Sequence, residues 1–371
     1  MLRVHHWCSK FFTDPPKPVG SKPLTGGAGG SNIARFFLHE VWCMGNGLVD
    51  PFGREISYLR VSVTDRCDLR CFYCMPEHFN DYTVPDHWLS FDEIERVTAA
   101  FAALGVSRLR LTGGEPLVRK GLPELATRLA ALPGITDLSL STNANRLAQE
   151  AVALKQAGVS RLNISLDSLQ PKCFQLITKG KLDKVMAGLM TAKAAGFAPI
   201  KINMVVMQGI NDDEVLDMVE FCLEHRFTLR FIETMPMGET GRNARDSYYL
   251  SLQTVKARLA EHYNLLPSIM EGGGPAQYYT IGDTGLKIGF ITPISQHFCA
   301  TCNRVRLGVD GTLYLCLGQE HSVALRPLLR AGISDVALQG VIRKALWLKP
   351  LEHNFNQTQT QVLRFMSMTG G

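Results

Sequence analysis

An α/β fold with a parallel sheet curled into a partial (βα)6 TIM-like barrel is predicted by three features of this 371-residue chain. Short β-branched runs alternate with helix-patterned segments from Tyr58 to Glu233, and such alternation builds right-handed βαβ units. Six units fall short of the eight that close a barrel. After about residue 235 the pattern changes, and a C-terminal layer is expected to cover the barrel's open side.

The six strands are expected at YLRVSVT (58–64), RLRLT (108–112), DLSLS (137–141), RLNIS (161–165), IKINMVV (200–206) and TLRFIE (228–233). Helices are expected at 90–104, where Ser90 and Glu93 form a capping box, and near 122–132, 147–157, 181–195 and 212–224. Further on come a helix near 251–263, strands QYYTI and LKIGFI, and the hairpin RVRLGV-DG-TLYLC with Asp310-Gly311 at its turn. A helix near 336–348 precedes the terminal MSMTGG. The expected organisation is an N-terminal extension over 1–50, a barrel over 51–240 and a C-terminal region over 241–371. The extension runs from a cationic, aromatic start (MLRVHHWCSKFF) into a Pro/Gly/Ser stretch and is read as flexible. A transit peptide is the rival reading, since its start is basic and acid-poor.

Composition narrows the function. The 39 basic and 34 acidic residues leave a formal charge of +5, as suited to an anionic small molecule as to a nucleic acid. The basic residues lie on barrel strands and not on one patch, so nucleic-acid binding is not expected. No apolar run of about 18 residues predicts a membrane span. Ten cysteines in a long chain without a secretory signal point to metal binding in a reducing compartment, not to disulfides. The cytoplasm is expected, or the mitochondrial matrix if the extension is a transit peptide.

Six of the ten fall into two groups of three. Cys67, Cys71 and Cys74 are spaced C-x3-C-x2-C just after the first strand. Full protein ligation of a cubane iron–sulfur cluster takes four cysteines, so three leave one iron open to an external ligand. A Cys3His zinc site with His78 or His87 is the alternative. Cys299, Cys302 and Cys316 form the second group, with the hairpin joining Cys302 to Cys316. It is read as a second cubane with an open iron, against a structural zinc completed by His297. Arg304 and Arg306 alternate on one strand and so share a face. Two guanidiniums beside an open iron suit a polyphosphate. Arg60, Arg110, Lys201 and Arg230 lie within strands one, two, five and six. Buried unpaired cations are costly, so an anion between them is expected; internal salt bridges to Glu115, Asp167 or Glu233 are the alternative.

The C-x3-C-x2-C group with Tyr73 before its last cysteine, followed by GGEP at 113–116, resembles the signature of radical S-adenosylmethionine enzymes. YLRVSVTDRCDLRCFYCMP, LRLTGGEPLVRKGL, STNA, LNISLDS, KINMV, FCATCNRVRL and the terminal Gly370-Gly371 together resemble the MoaA-type GTP 3′,8-cyclases of molybdenum-cofactor biosynthesis. The resemblance implies two 4Fe-4S clusters, with S-adenosylmethionine on the first, helped by Tyr73, Gly114, Ser165 and Met235. It places GTP at the second cluster, with Arg60, Arg110, Ser141, Lys201, Arg304 and Arg306 at contact positions and the Gly-Gly tail in the active site. A deoxyadenosyl radical then takes hydrogen from ribose C3′, and the carbon radical bonds to guanine C8, giving the cyclised nucleotide after reduction. An electron donor such as flavodoxin or ferredoxin, a downstream cyclic pyranopterin monophosphate synthase and a homodimer are implied as well. Two departures stand in STNA, where the family usually has Thr at Ser141 and Gly at Ala144. A peptide-modifying two-cluster enzyme is the competing enzymatic reading; no cysteine follows Cys316, where such enzymes carry more.

Overall fold

Period-2 alternation, with apolar residues on one face of each strand and polar ones on the other, organises the molecule. The computed structural model describes residues 47–270, 273–296, 298–356 and 362–370. The expectations placed on residues 1–46, His297 and Gly371 lie outside that set.

The first half runs β1 (Tyr58–Ser62), α1 (Phe91–Ala103), β2 (Arg108–Thr112), α2 (Leu122–Ala130), β3 (Asp137–Thr142), α3 (Leu147–Gln156) and β4 (Arg161–Ser165). It continues through α4 (Pro171–Thr178), α5 (Leu182–Ala194), β5 (Ile200–Val205), α6 (Val215–His225) and β6 (Thr228–Ile232). These six strands are parallel and adjacent in chain order. Leu59, Leu109, Leu140, Leu162, Ile202 and Leu229 are wholly buried in the main apolar core with the helices. Their neighbours in sequence turn to the barrel interior. The capping box at the start of α1 is present, with Ser90 N donating to Glu93 Oε2 (2.8 Å) and Glu93 N to Ser90 Oγ (3.1 Å).

Next come α7 (Gly238–Tyr248), α8 (Leu252–His262), β7 (Leu265–Ser268), β8 (Gln277–Ile281), β9 (Lys287–Ile291), β10 (Arg304–Leu307), β11 (Thr312–Tyr314) and β12 (Ser322–Ala324). Helices α9 (Arg326–Arg330), α10 (Asp335–Leu346) and α11 (Met366–Thr369) close the chain. The C-terminal segment does more than cover an opening. It extends the same sheet at both ends, giving the order β12-β11-β10-β1-β2-β3-β4-β5-β6-β9-β8-β7. Strands β10 and β9 run parallel to β1 and β6, pairing the backbone rows that those strands would otherwise expose. The sheet stays open, and the Asp310-Gly311 hairpin joins β10 to β11 as expected.

The folded body begins before residue 51: Leu48 and Asp50 are buried, and Asp50 accepts from Arg54 Nε at 2.5 Å. Helix α7, GETGRNARDSY, turns Gly238, Gly241 and Ala244 inward and so buries almost no apolar bulk. Tertiary contacts hold it, with Arg242 and Arg245 donating to the carbonyls of Val362 and Phe355.

Candidate active site

The loop after β1 carries the first three cysteines and docks on the end of α4, with Arg70 N and Phe72 N donating to the Thr178 and Ile177 carbonyls. Gly113 and Gly114 press against this loop's approach. A Cβ on Gly113 would lie 2.3 Å from the Thr64 carbonyl oxygen, and one on Gly114 would lie 2.4 Å from that of Arg66. The backbone leading to Cys67 therefore demands glycine at both positions. Glu115 anchors the corner by accepting from Thr142 Oγ1 (2.7 Å), Asn143 N (2.7 Å) and Leu117 N (3.1 Å). Burial pushes its carboxyl up to about 7 against the pull of those donors.

Burial raises all three thiols of this loop, with Glu115 adding to the effect at Cys67 and Asp167 at Cys71. Cys67 Sγ accepts from Leu69 N (3.4 Å) and Asn143 Nδ2 (3.7 Å). Tyr73 donates its hydroxyl to Asp167 Oδ2 at 2.7 Å, and Asp167 also accepts from Val205 N at 2.8 Å. Buried sulfurs with N–H donors and acidic neighbours fit metal-bound thiolates, since a bound cation removes the thiol protons outright. Among the described residues no three His, Cys, Asp or Glu side chains stand close enough to hold a single metal ion.

The second triad shares one cavity with Arg60, Arg110, Arg230, Met235, Arg304 and Arg306. Strand register brings these cations together, because Arg60 is paired in β1 with Arg306 on one side and Arg110 on the other. Arg60, Arg110, Lys201, Arg230, Arg304 and Arg306 are each less than 10% exposed: 7, 8, 5, 3, 9 and 5%. Among the described residues none of the six has an ion-pair partner. The three carboxylates considered as partners are committed elsewhere: Glu115 and Asp167 as above, and Glu233 to Ser295 Oγ (2.5 Å), Ile294 N and Ser295 N. Burial, then neighbouring guanidiniums, pulls Arg60 well below the ordinary arginine range and Arg306 down to about 9. Buried Nε groups of Arg60 and Arg304 have no hydrogen-bond partner. This is a site built for an anion.

At Cys302 burial works against ionisation, yet Lys349 and then Arg304 bring its thiol below the ordinary value. Lys349 Nζ lies 3.6 Å from Cys302 Sγ. The second donor set, three sulfurs walled by cations, fits an anionic cluster.

Residues 61–222 match the radical SAM superfamily, and residues 227–355 match the Molybdenum Cofactor Synthesis C family. The chain is 49% identical over 328 residues to the GTP 3′,8-cyclase of Pseudomonas entomophila (strain L48), covering 87% of this chain and 98% of that protein. It is 50% identical over 327 residues to GTP 3′,8-cyclase 1 of Pseudomonas aeruginosa PAO1, covering 87% and 99%. This chain belongs to the GTP 3′,8-cyclase family. Among solved structures, Streptococcus suis SuiB bound to S-adenosylmethionine matches with a TM-score of 0.59 at 14% identity, covering 90% of this chain and 80% of that one. At that identity the likeness is one of fold.

The chain carries two groups of three free cysteines whose surroundings fit the family's iron–sulfur clusters, one on the β1 loop and one around the β10–β11 hairpin. Ser165 stands exposed at the end of β4 and Ser141 half-buried near the end of β3. Gly370 is buried with φ 71°, and Arg306 donates to its carbonyl and to that of Thr369. The tail therefore reaches the cation cluster as far as Gly370. Ala144, the departure from glycine, adopts φ 61°, a left-handed conformation that glycine takes without strain. Asn163 and Asn203 escaped sequence reading; their Oδ1 atoms accept from Arg230 Nη2 (2.5 Å) and Nε (2.8 Å). The signal for both was there, since Asn203 is two residues from Lys201 and Asn163 two from Ser165, each pair on one strand face. No described helix is long and apolar enough to cross a membrane.

Proposed function

We propose that this chain is a lyase that cyclises GTP to 3′,8-cyclo-7,8-dihydroguanosine 5′-triphosphate, the first step of molybdenum-cofactor biosynthesis. The observation that carries this reading is the row of six buried cations without a carboxylate partner among the described residues, five of which line the cavity that holds the second cysteine triad. A polyanion is the ligand that such a row demands.

Cys67, Cys71 and Cys74 hold the first cluster, and Cys299, Cys302 and Cys316 the second. When bound, the first cluster with S-adenosylmethionine supplies a 5′-deoxyadenosyl radical. Tyr73, Gly114, Ser165 and Met235 orient S-adenosylmethionine. Arg60, Arg110, Lys201, Arg304 and Arg306 clamp the triphosphate-bearing substrate, with Ser141 adding a hydroxyl contact. Fixing ribose and base in one pose lets C3′, once it loses hydrogen, meet guanine C8 within the same molecule. The terminal Gly370 and Gly371 serve the active site, and the Thr369 and Gly370 carbonyls keep Arg306 turned inward. Asn163 and Asn203 aim Arg230 along the same channel. Residues 51–240 serve the first cluster and residues 241–371 the second, behind an N-terminal extension whose last residues, Leu48 and Asp50, join the folded body.

The reductant is a flavodoxin or ferredoxin, the product passes to a cyclic pyranopterin monophosphate synthase, and the enzyme works as a cytoplasmic homodimer. The test is anaerobic reconstitution with iron, sulfide, GTP and S-adenosylmethionine, followed by chromatography of the nucleotides. Equimolar 5′-deoxyadenosine and cyclised nucleotide are expected. Deoxyadenosine without any change in GTP would reject the substrate assignment.

A further inference from the structure

Each cysteine of the second triad is held by a buried cation that the substrate cavity does not use. Arg54 Nη1 donates to the Cys299 carbonyl at 2.8 Å, and the same side chain binds the carbonyls of Leu351 (2.6 Å) and Pro350 (2.7 Å). Arg364 Nη2 donates to the Cys316 carbonyl at 2.9 Å and to those of Leu317 and Gln319. Lys349 donates to Cys302 Sγ at 3.6 Å, to the Arg304 carbonyl at 3.1 Å and to the Leu315 carbonyl at 2.6 Å. The three are 8, 6 and 3% exposed.

The partners of these cations differ in a way that matters. Arg54 is neutralised by Asp50, and Arg364 pairs with Glu320. Among the described residues Lys349 has no carboxylate partner within ion-pair distance. An ammonium has three N–H donors, and these three acceptors use all of them. Two acceptors are neutral carbonyls; the third is a sulfur that carries negative charge when it ligates iron. The arrangement ties the chain at Cys302–Arg304 to the chain at Leu315–Cys316, so one side chain spans both strands of the cage. Charge and hydrogen bonds at the sulfurs are what set an iron–sulfur cluster's potential, and a cation at this range in a dry site favours the form with the extra electron.

We propose that Lys349 raises the reduction potential of the second cluster through its hydrogen bond to Cys302, while Arg54 and Arg364 are positioning residues that fix Cys299 and Cys316 around it. The inference rests on the reading of Cys299, Cys302 and Cys316 as a cluster cage. Lys349 touches no part of the substrate cavity's arginine side chains, so it acts on the cluster and not as a phosphate ligand.

The test compares wild type, Lys349→Gln and Lys349→Arg as anaerobically reconstituted full-length proteins. Iron is counted, and each cubane is followed by EPR during a redox titration. In Lys349→Gln both cubanes are expected to remain, with the first midpoint unchanged. Its second midpoint should fall by an amount equal to about a tenfold lower reduced-to-oxidised ratio, about 59 mV for one electron. Lys349→Arg, which keeps the charge, should stay near wild type. An unchanged second midpoint in Lys349→Gln, or an equal fall in Lys349→Arg, overturns the electrostatic role. If Lys349→Gln loses the second cubane, Lys349→Arg decides, and its loss there too overturns the proposal. A single cubane in wild type would instead reject the cage itself, an outcome told apart by the iron count.

Discussion

Lys201 offers the sharpest test of an anion site, because the structure makes it a proton acceptor that only a bound anion satisfies. Its side chain is 5% exposed and sits in a row of like charge. Burial first, then Arg230, Arg161 and Arg110, bring its ammonium down from 10.5 to about 7, with Asp137 pulling weakly the other way. A triphosphate beside it restores the ordinary value, so binding takes up a proton wherever free Lys201 is neutral. At pH 8 that is about 0.9 proton per GTP. A group whose pKa rises on binding favours the complex at low pH. Affinity for GTP should therefore weaken about 15-fold between pH 7 and 8.5. Arg306, at about 9, and Arg230, at about 10, titrate above that window.

Calorimetry at pH 8 in buffers of different ionisation enthalpy reads the proton count directly. In Lys201→Met the uptake at pH 8 should fall to about 0.1 proton, and most of the pH dependence of affinity from pH 7 to 8.5 should be lost. The same charge is a burden on the ligand-free fold. Its folded pKa lies below its unfolded one, so the cost is full below pH 7 and disappears as pH rises toward 10.5. At pH 6 it is about 5 kcal/mol as an upper limit, and Lys201→Met should unfold at higher temperature than wild type there. No uptake at pH 8, or the same uptake in Lys201→Met, would refute the reasoning.

Cys67→Ala should abolish 5′-deoxyadenosine release, while Cys316→Ala should retain some uncoupled release and lose the cyclised nucleotide; chromatography of both products checks this. Gly114→Ala should leave the protein folded but strip the first cubane, since the added Cβ lies 2.4 Å from the Arg66 carbonyl oxygen beside Cys67. Iron analysis and EPR read that loss, and a full iron complement would contradict it. Ala144→Gly should raise stability by about 1 kcal/mol, because Ala144 at φ 61° bears a strain that glycine escapes; chemical denaturation measures the gain.

Much of this arrangement is legible in the chain itself. The six barrel strands lie where β-branched runs alternate with helical segments, and β8 and β9 at QYYTI and LKIGFI follow the same logic. The two cysteine triads and the interior cations are equally visible, because spacing and period 2 fix which side chains share a face. What stayed hidden was settled by tertiary contact. The buried face of helix α7 is made of two glycines and an alanine, and α4 and β7 are short segments whose form depends on neighbours. The sequence left each basic residue a choice between a salt bridge and an anion. Only the structure commits Glu115, Asp167 and Glu233 to backbone and hydroxyl donors. Arg54, Lys349 and Arg364 carry no motif at all; they matter because chain positions 245, 47 and 48 residues away come to meet them.

The two cages are therefore surrounded by opposite kinds of group. Cys67 and Cys71 feel Glu115 and Asp167, whereas Cys302 and Cys316 feel Lys349, with Arg304 and Arg306 beside them. On the β1 loop Arg70 donates to the Cys67 carbonyl at 2.6 Å, but the groups named nearest the sulfurs are carboxylates, with Asp167 accepting from Tyr73 and Glu115 from Thr142 and Asn143. The hairpin cage takes Lys349 and Arg364 from the C-terminal segment and Arg54 from ahead of β1. The C-terminal strands extend the sheet at both edges, so that β10 places Arg306 beside Arg60 of β1, and β9 stands beside β6, which carries Arg230. A polyanion lying along this row touches strands from both parts of the chain, so substrate binding and the second cage depend on one another through β10.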